Sequence, residues 1–181
     1  MSRALVAADL PEPVATIAAP FRVDYTYVAG VGRSTYLRGM AEGRFLAREC
    51  PGCGQVYFPA PEQCARCLTG LLPPSEIPGT GTVSTFCIVN LPFPGQLFTP
   101  PYVVGHLNLD GTGNRLMHRI MEVEPADVTV GMAVEPVWAP RAEWEPSLAS
   151  VRYFRPTDPA LRAPLPAEVV PAEAAPGGAD A

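Results

Sequence analysis

Cys50-Pro51-Gly52-Cys53-Gly54, followed by Cys64-Ala65-Arg66-Cys67, is the stretch on which the reading of this chain turns. Two Cys-x-x-Cys pairs stand close together, and each can present two thiolates from one tight turn. Gly52 and Gly54 supply backbone freedom that a β-carbon would forbid. Two such turns face to face form a closed tetrahedral four-sulfur site, the preference of structural zinc. The same donors at this spacing also suit iron. A closed site leaves no open coordination position, so a metal held by Cys50, Cys53, Cys64 and Cys67 is expected to build structure rather than do chemistry. Cys87, the fifth cysteine, stands apart in a predicted strand and is expected to be a buried core thiol.

Outward from the cysteines, residues 44–49 alternate as a strand leading into the first pair, and residues 55–58 form a second strand that Pro59 and Pro61 stop. On the N-terminal side, Ser34 or Thr35 can cap a short helix carrying Tyr36, Leu37 and Met40 and ended by Gly43. Residues before it, with Phe21, Tyr25 and Tyr27, read as an extended arm ordered by docking on something else. On the C-terminal side, a proline-rich connector through Pro73, Pro74 and Pro78 precedes a β-rich region. Its strands are expected at 82–90, 102–109, 114–123, 132–138 and 150–154. Asp110-Gly111 is a hairpin turn signal. Residues 125–131 form a turn with Val128 and Val130 facing inward. Five short strands suggest a sandwich or a small barrel, and five is the OB-fold number.

Composition excludes much. The chain has 181 residues, 23 of them proline, which argues against long helices. All 13 basic residues are arginine. Without lysine, Schiff-base aldolase, pyridoxal-phosphate and Walker-type P-loop chemistries are ruled out. The formal charge of −5 gives no support to a phosphate-backbone binder. No signal-peptide core and no apolar run of membrane-spanning length occurs, so a cytoplasmic chain with no membrane partner is expected; clustered cysteines there point to metal, not disulfides. Beyond Pro156 the composition falls to Ala, Pro, Glu and Gly, which cannot bury enough apolar surface to fold.

No catalytic residue is assigned. His106 and His118 belong to no metal motif and are expected to be structural or interface residues. Cys87 with either would be the only nucleophilic dyad, and no spacing recommends it. Glu122 with Glu124, and Glu143 with Glu145, are expected to be solvated. Two features read as docking surfaces. Loop 91–98 carries Phe93 and Phe98 among prolines and either marks an interface or folds back over the core. Arg33, Arg38, Arg44 and Arg48 around the helix are a solvated face, or a meeting point for an acidic partner or an acyl-CoA phosphate.

Taken together, the phrase Tyr36-Leu37-Arg38-Gly39-Met40-Ala41-Glu42-Gly43-Arg44-Phe45-Leu46, the two cysteine pairs, Gly79-Thr80-Gly81-Thr82-Val83, Pro101-Tyr102-Val103-Val104 and Val130-Gly131-Met132-Ala133-Val134 resemble the zinc-ribbon OB-fold proteins, first catalogued as domain of unknown function thirty-five. The resemblance covers residues 34–156. It implies a mainly β chain: a short N-terminal helix, a rubredoxin-like zinc ribbon and a five-stranded OB-fold barrel. The division expected is an extended arm at 1–33, helix plus ribbon at 34–78, barrel at 79–156 and a disordered Ala/Pro-rich tail at 157–181. It also implies a non-enzymatic accessory subunit, with structural Zn2+ on Cys50, Cys53, Cys64 and Cys67. The implied partner is a thiolase-superfamily enzyme: a thiolase, acyltransferase or side-chain aldolase on CoA thioesters, in some members in steroid side-chain degradation. Two alternatives remain: a nucleic-acid-binding zinc-ribbon/OB protein, which the net −2 charge of residues 79–156 disfavours, and a free-standing acyl-CoA enzyme using His106 or His118.

Overall fold

The computed structural model describes residues 23, 25–91 and 99–165. Helix α1 (Gly30–Glu42) leads into a three-stranded sheet of β1 (Phe45–Glu49), β2 (Val56–Tyr57) and β3 (Ser75–Ile77) in the order β2-β1-β3. Five strands follow: β4 (Gly81–Val89), β5 (Tyr102–Leu109), β6 (Arg115–Ile120), β7 (Ala133–Trp138) and β8 (Val151–Pro156). They close as β4-β5-β6-β8-β7, antiparallel except for the β6–β8 contact at Ile120 and Phe154. This is the five-stranded OB barrel expected from the sequence.

The helix starts at Gly30, earlier than Ser34 or Thr35. Thr35 Oγ1 instead donates to the Val31 carbonyl inside the first turn at 3.0 Å. The capping acceptor comes from far along the chain: the Glu62 carboxylate takes the Gly32 N–H at 2.5 Å. Gly43 ends the helix as expected, at φ 74°. A β-carbon there would overlap the Trp144 ring, so this glycine is required by close approach as well as by its left-handed backbone. Strand β3 lies in the stretch read as a proline-rich connector; it is three residues long and pairs with β1 through Phe45 and Ile77.

One core serves both ribbon and barrel. Met40, Phe45, Ala47 and Phe58 from the helix and ribbon are buried with Val83, Val103, Leu107, Ile120, Val134 and Phe154 from the barrel. Aromatic contacts run from Tyr36 to Phe58, Phe45, Trp138 and Trp144, with neighbouring ring centres 5.1–5.8 Å apart. Such contacts add to plain burial because ring edges and faces carry opposite partial charge.

Two buried-side expectations fail. Cys87 is exposed. A bulge in β4 between Val83 and Thr85 shifts the alternation, so Phe86 and Ile88 pack on the core and Cys87 turns outward. Val130 is 67% exposed, whereas Val128 is buried as expected. The tail also departs from expectation in its first part. Residues 159–161 form a 3-10 turn, Arg162 reaches back to Glu135 at 2.9 Å, and the Ala163 N–H donates to the Glu122 carbonyl. Short-range composition could not show that an arginine in this stretch finds a half-buried acid on β7. Phe21, loop residues 92–98 and residues 166–181 lie outside the described residues, as does most of the arm. Among the described residues, no helix is long and apolar enough to cross a membrane.

Candidate metal centre

Strand β1 delivers the chain to Cys50, and β2 carries it away from Cys53. The two cysteine turns have the same hydrogen-bond design. In the first, the Gly54 N–H donates to the Cys50 carbonyl and the Cys50 N–H to Gln55; in the second, Leu68 donates to Cys64 and Cys64 to Thr69, all at 2.9 Å. Each turn has its fifth residue in the left-handed region, Gly54 at φ 69° and Leu68 at φ 57°. Gly54 therefore has the role foreseen for it. Gly52 does not share that backbone, and a β-carbon on it would make only ordinary contact with Cys67 Sγ at 3.6 Å. Leu68 holds an unfavourable backbone with its side chain 74% exposed, a cost accepted in order to form the second turn.

The four sulfurs of Cys50, Cys53, Cys64 and Cys67 all lie within 4.8 Å of one another, and Cys53 and Cys64 approach to 3.7 Å. A tetrahedral zinc with bonds of about 2.3 Å separates its sulfurs by about 3.8 Å. The donor set and its spacing fit a structural metal ion. Cys50 and Cys64 are buried and Cys53 is exposed. Around the sulfurs sit Tyr57, Ala60 and Leu71, a small cluster separate from the main core.

Donors surround the sulfurs. The N–H groups of Arg66 and Cys67 point at Cys64 Sγ, each at 3.4 Å, and the Tyr57 hydroxyl lies 3.3 Å from the same atom. That hydroxyl also accepts from the Ala65 N–H at 3.3 Å. Thr69 Oγ1 lies 3.6 Å from Cys50 Sγ. The Tyr57 hydroxyl, aided by the backbone donors, brings the Cys64 thiol down to about 6. Cys67 is pushed up to about 12, first by its hydrogen bond with Cys53 and then by desolvation. Thiols crowded this closely cannot all ionise without a cation, so metal entry displaces protons and binding weakens as pH falls. Sequence reasoning passed over Tyr57 and Thr69. The signal was available for Tyr57, which sits between the two cysteine pairs on a strand.

The other candidates do not converge. His106 is exposed and shares a hydrogen bond between Nδ1 and Thr85 Oγ1 at 3.1 Å. His106 pairs across the sheet with Met117, whereas His118 pairs with Gly105 and meets buried Phe154 edge-to-face, on the opposite face. Cys87 therefore shares a face with His106 and not with His118. Burial, and then the charge of Arg119, bring His118 down to about 4. The arginine group divides. Arg44 pairs with Glu76 and Glu42, and Arg48 donates to the carbonyls of Leu71 and Leu72. Arg33 lies over the Tyr27 ring, 5.2 Å from its centre. Glu122 is not solvated: it accepts from the Tyr153 hydroxyl at 2.6 Å and pairs with Arg155.

A four-thiolate ribbon fused to an OB barrel defines a zinc-ribbon OB-fold protein. Two family profiles match the chain, the rubredoxin-like zinc ribbon domain of ChsH2 at residues 38–72 and the C-terminal OB-fold domain of ChsH2 at residues 75–139. The chain belongs to this zinc-ribbon OB-fold family, also called DUF35. A curated relative from Methanocaldococcus jannaschii, named as a DUF35 domain-containing scaffold protein, is 33% identical over 90 residues. That match takes in 49% of this chain and 63% of the relative, so the chain spans less than two thirds of the relative's length. A solved structure described as the Ltp2-ChsH2(DUF35) aldolase superposes with a TM-score of 0.55 at 24% identity, covering 70% of this chain and 95% of that one. A DUF35 protein of unknown function from Sulfolobus solfataricus gives 0.53 at 16% identity, covering 70% and 84%. Both solved structures share the fold.

Proposed function

We propose that this chain is a non-catalytic, cytoplasmic subunit that binds a thiolase-superfamily enzyme acting on CoA thioesters and helps to close its acyl-CoA channel. The partner would be a thiolase, an acyltransferase or a retro-aldol lyase, the last of these in steroid side-chain degradation. The observation that carries the reading is the fusion of a closed four-thiolate ribbon to a barrel through one shared core. Such a body is rigid, and its metal, fully ligated by protein, holds shape instead of activating substrate. The names of the relatives support the same reading, one a scaffold and the other an aldolase whose name joins Ltp2 to ChsH2(DUF35).

Cys50, Cys53, Cys64 and Cys67 would hold the Zn2+, which supplies a structural cross-link in place of a large ribbon core. Co-expression with a thiolase-superfamily subunit tests the proposal. The expected result is a stable heteromer in which CoA-thioester turnover needs the enzyme subunit and falls when this chain is withdrawn. Turnover of acyl-CoA esters by the isolated chain would overturn it, as would an enzyme subunit indifferent to its presence.

A further inference from the structure

Just before α1, residues 25–28 read Tyr-Thr-Tyr-Val, an alternation of aromatic and β-branched residues with strong strand preference. They nevertheless belong to no strand. Residues 25–28 make no backbone hydrogen bond with another described residue. Val23, Tyr25, Tyr27 and Val28 are 56%, 75%, 56% and 84% exposed, and Val31 at the start of the helix is 74% exposed. The base of this segment is held firmly. Gly32 is clamped by Glu62, and Arg33 stacks on Tyr27. A sequence suited to a sheet, with backbone donors and acceptors that no other described residue takes up and an anchored base, is suited to completing a sheet elsewhere.

The chain itself offers no suitable edge among the described residues. Its barrel is closed. In the ribbon sheet, the β2 edge is covered where the Gly113 N–H donates to the Val56 carbonyl, and the β3 edge is only three residues long. A second copy would present the same edges. Arg22 and Arg33 against Asp24 leave the flanks of the segment net positive in sequence, and Arg33 is exposed with no carboxylate partner among the described residues. We therefore infer that residues 25–28 form a docking strand that adds to an exposed, acid-bordered sheet edge of the partner enzyme subunit. Main-chain hydrogen bonds would give the affinity, and Tyr25 and Tyr27 would choose the site. This rests on the subunit reading above.

The test uses the full chain co-expressed with the thiolase-superfamily subunit, compared with the free chain by amide hydrogen exchange and by dissociation constants. An added strand pairs along one edge, so alternate amides in 25–28 slow on complex formation. Thr26→Pro and Tyr27→Pro each remove one N–H, and these two N–H groups lie on opposite edges. One of the two prolines weakens binding by about tenfold, while the other, and the controls Thr26→Val and Tyr27→Phe, change it by about twofold or less. Metal content and thermal stability of all four variants match the parent chain. A complex that forms while 25–28 exchange as in the free chain, or that tolerates both prolines, overturns the docking strand and leaves the subunit reading standing. Absence of any complex overturns both.

Discussion

The carboxamide of Asn114, in the turn between β5 and β6, closes a ring of two hydrogen bonds on the backbone of Phe58. Its Oδ1 accepts from the Phe58 N–H and its Nδ2 donates to the Phe58 carbonyl, both at 2.8 Å. Phe58 is 1% exposed and lies immediately after β2, so this amide stitches ribbon to barrel beside the direct backbone bond from the Gly113 N–H to the Val56 carbonyl. Asn114→Ala leaves the buried donor and acceptor of Phe58 unpaired. It is expected to cost about 2 kcal/mol in urea unfolding, with Asn114→Asp failing to restore the lost N–H donor.

The shared core makes the metal's influence reach the barrel. Removal of metal by a chelator under reducing conditions is expected to release both cysteine turns and, through Phe45 and Phe58, to loosen the packing around Trp138. Near-ultraviolet circular dichroism and thermal unfolding read this out. The expected result is a large drop in midpoint that zinc restores, in one transition rather than two.

Tyr57 acts on the centre through Cys64. Tyr57→Phe keeps the ring in its small cluster and removes the hydroxyl beside Cys64 Sγ. Partners of this kind typically change metal affinity by about tenfold or more. Zinc transfer from the variant to a chromophoric chelator should accelerate accordingly, with little change in the folded spectrum of the loaded protein.

Gly43→Ala places a β-carbon onto Trp144 at a left-handed backbone position. Strain and overlap act together, and the expected loss is about 2 kcal/mol or more. Adding Trp144→Leu should recover the part due to overlap and leave the part due to the backbone, which a double-mutant cycle separates.

His118 sets a pH dependence. Its native value is lowered from 6.5 to about 4, so between these values the unfolded chain binds a proton that the folded chain refuses. Stability from this group is complete above pH 6.5 and declines as pH falls toward 4, by at most about 3 kcal/mol. His118→Leu should flatten that part of the stability profile relative to the parent, with both proteins metal-loaded.

Cysteine spacing and strand alternation are properties of neighbouring residues, and they made the ribbon and the five barrel strands legible. Several of the predictions that failed depended on a partner distant in sequence. Ser34 and Thr35 carry a good capping signal, but the acceptor that starts the helix is Glu62, thirty residues from Gly32. Glu122 looked solvated because nothing nearby in sequence suggests Tyr153 and Arg155. Strand β3 is too short to announce itself, and pairing with β1 is what creates it.

By itself the sequence determined the four-thiolate centre, the order of ribbon and barrel, and the exclusion of lysine chemistry, because thiolate geometry, turn formation and side-chain type act over a few residues. Only the tertiary structure decided which face Cys87 takes, where the helix begins and how ribbon and barrel are joined. A one-residue bulge reverses every side chain beyond it, and a carboxylate or carboxamide finds its partner only when the chain has brought distant backbone within hydrogen-bond reach.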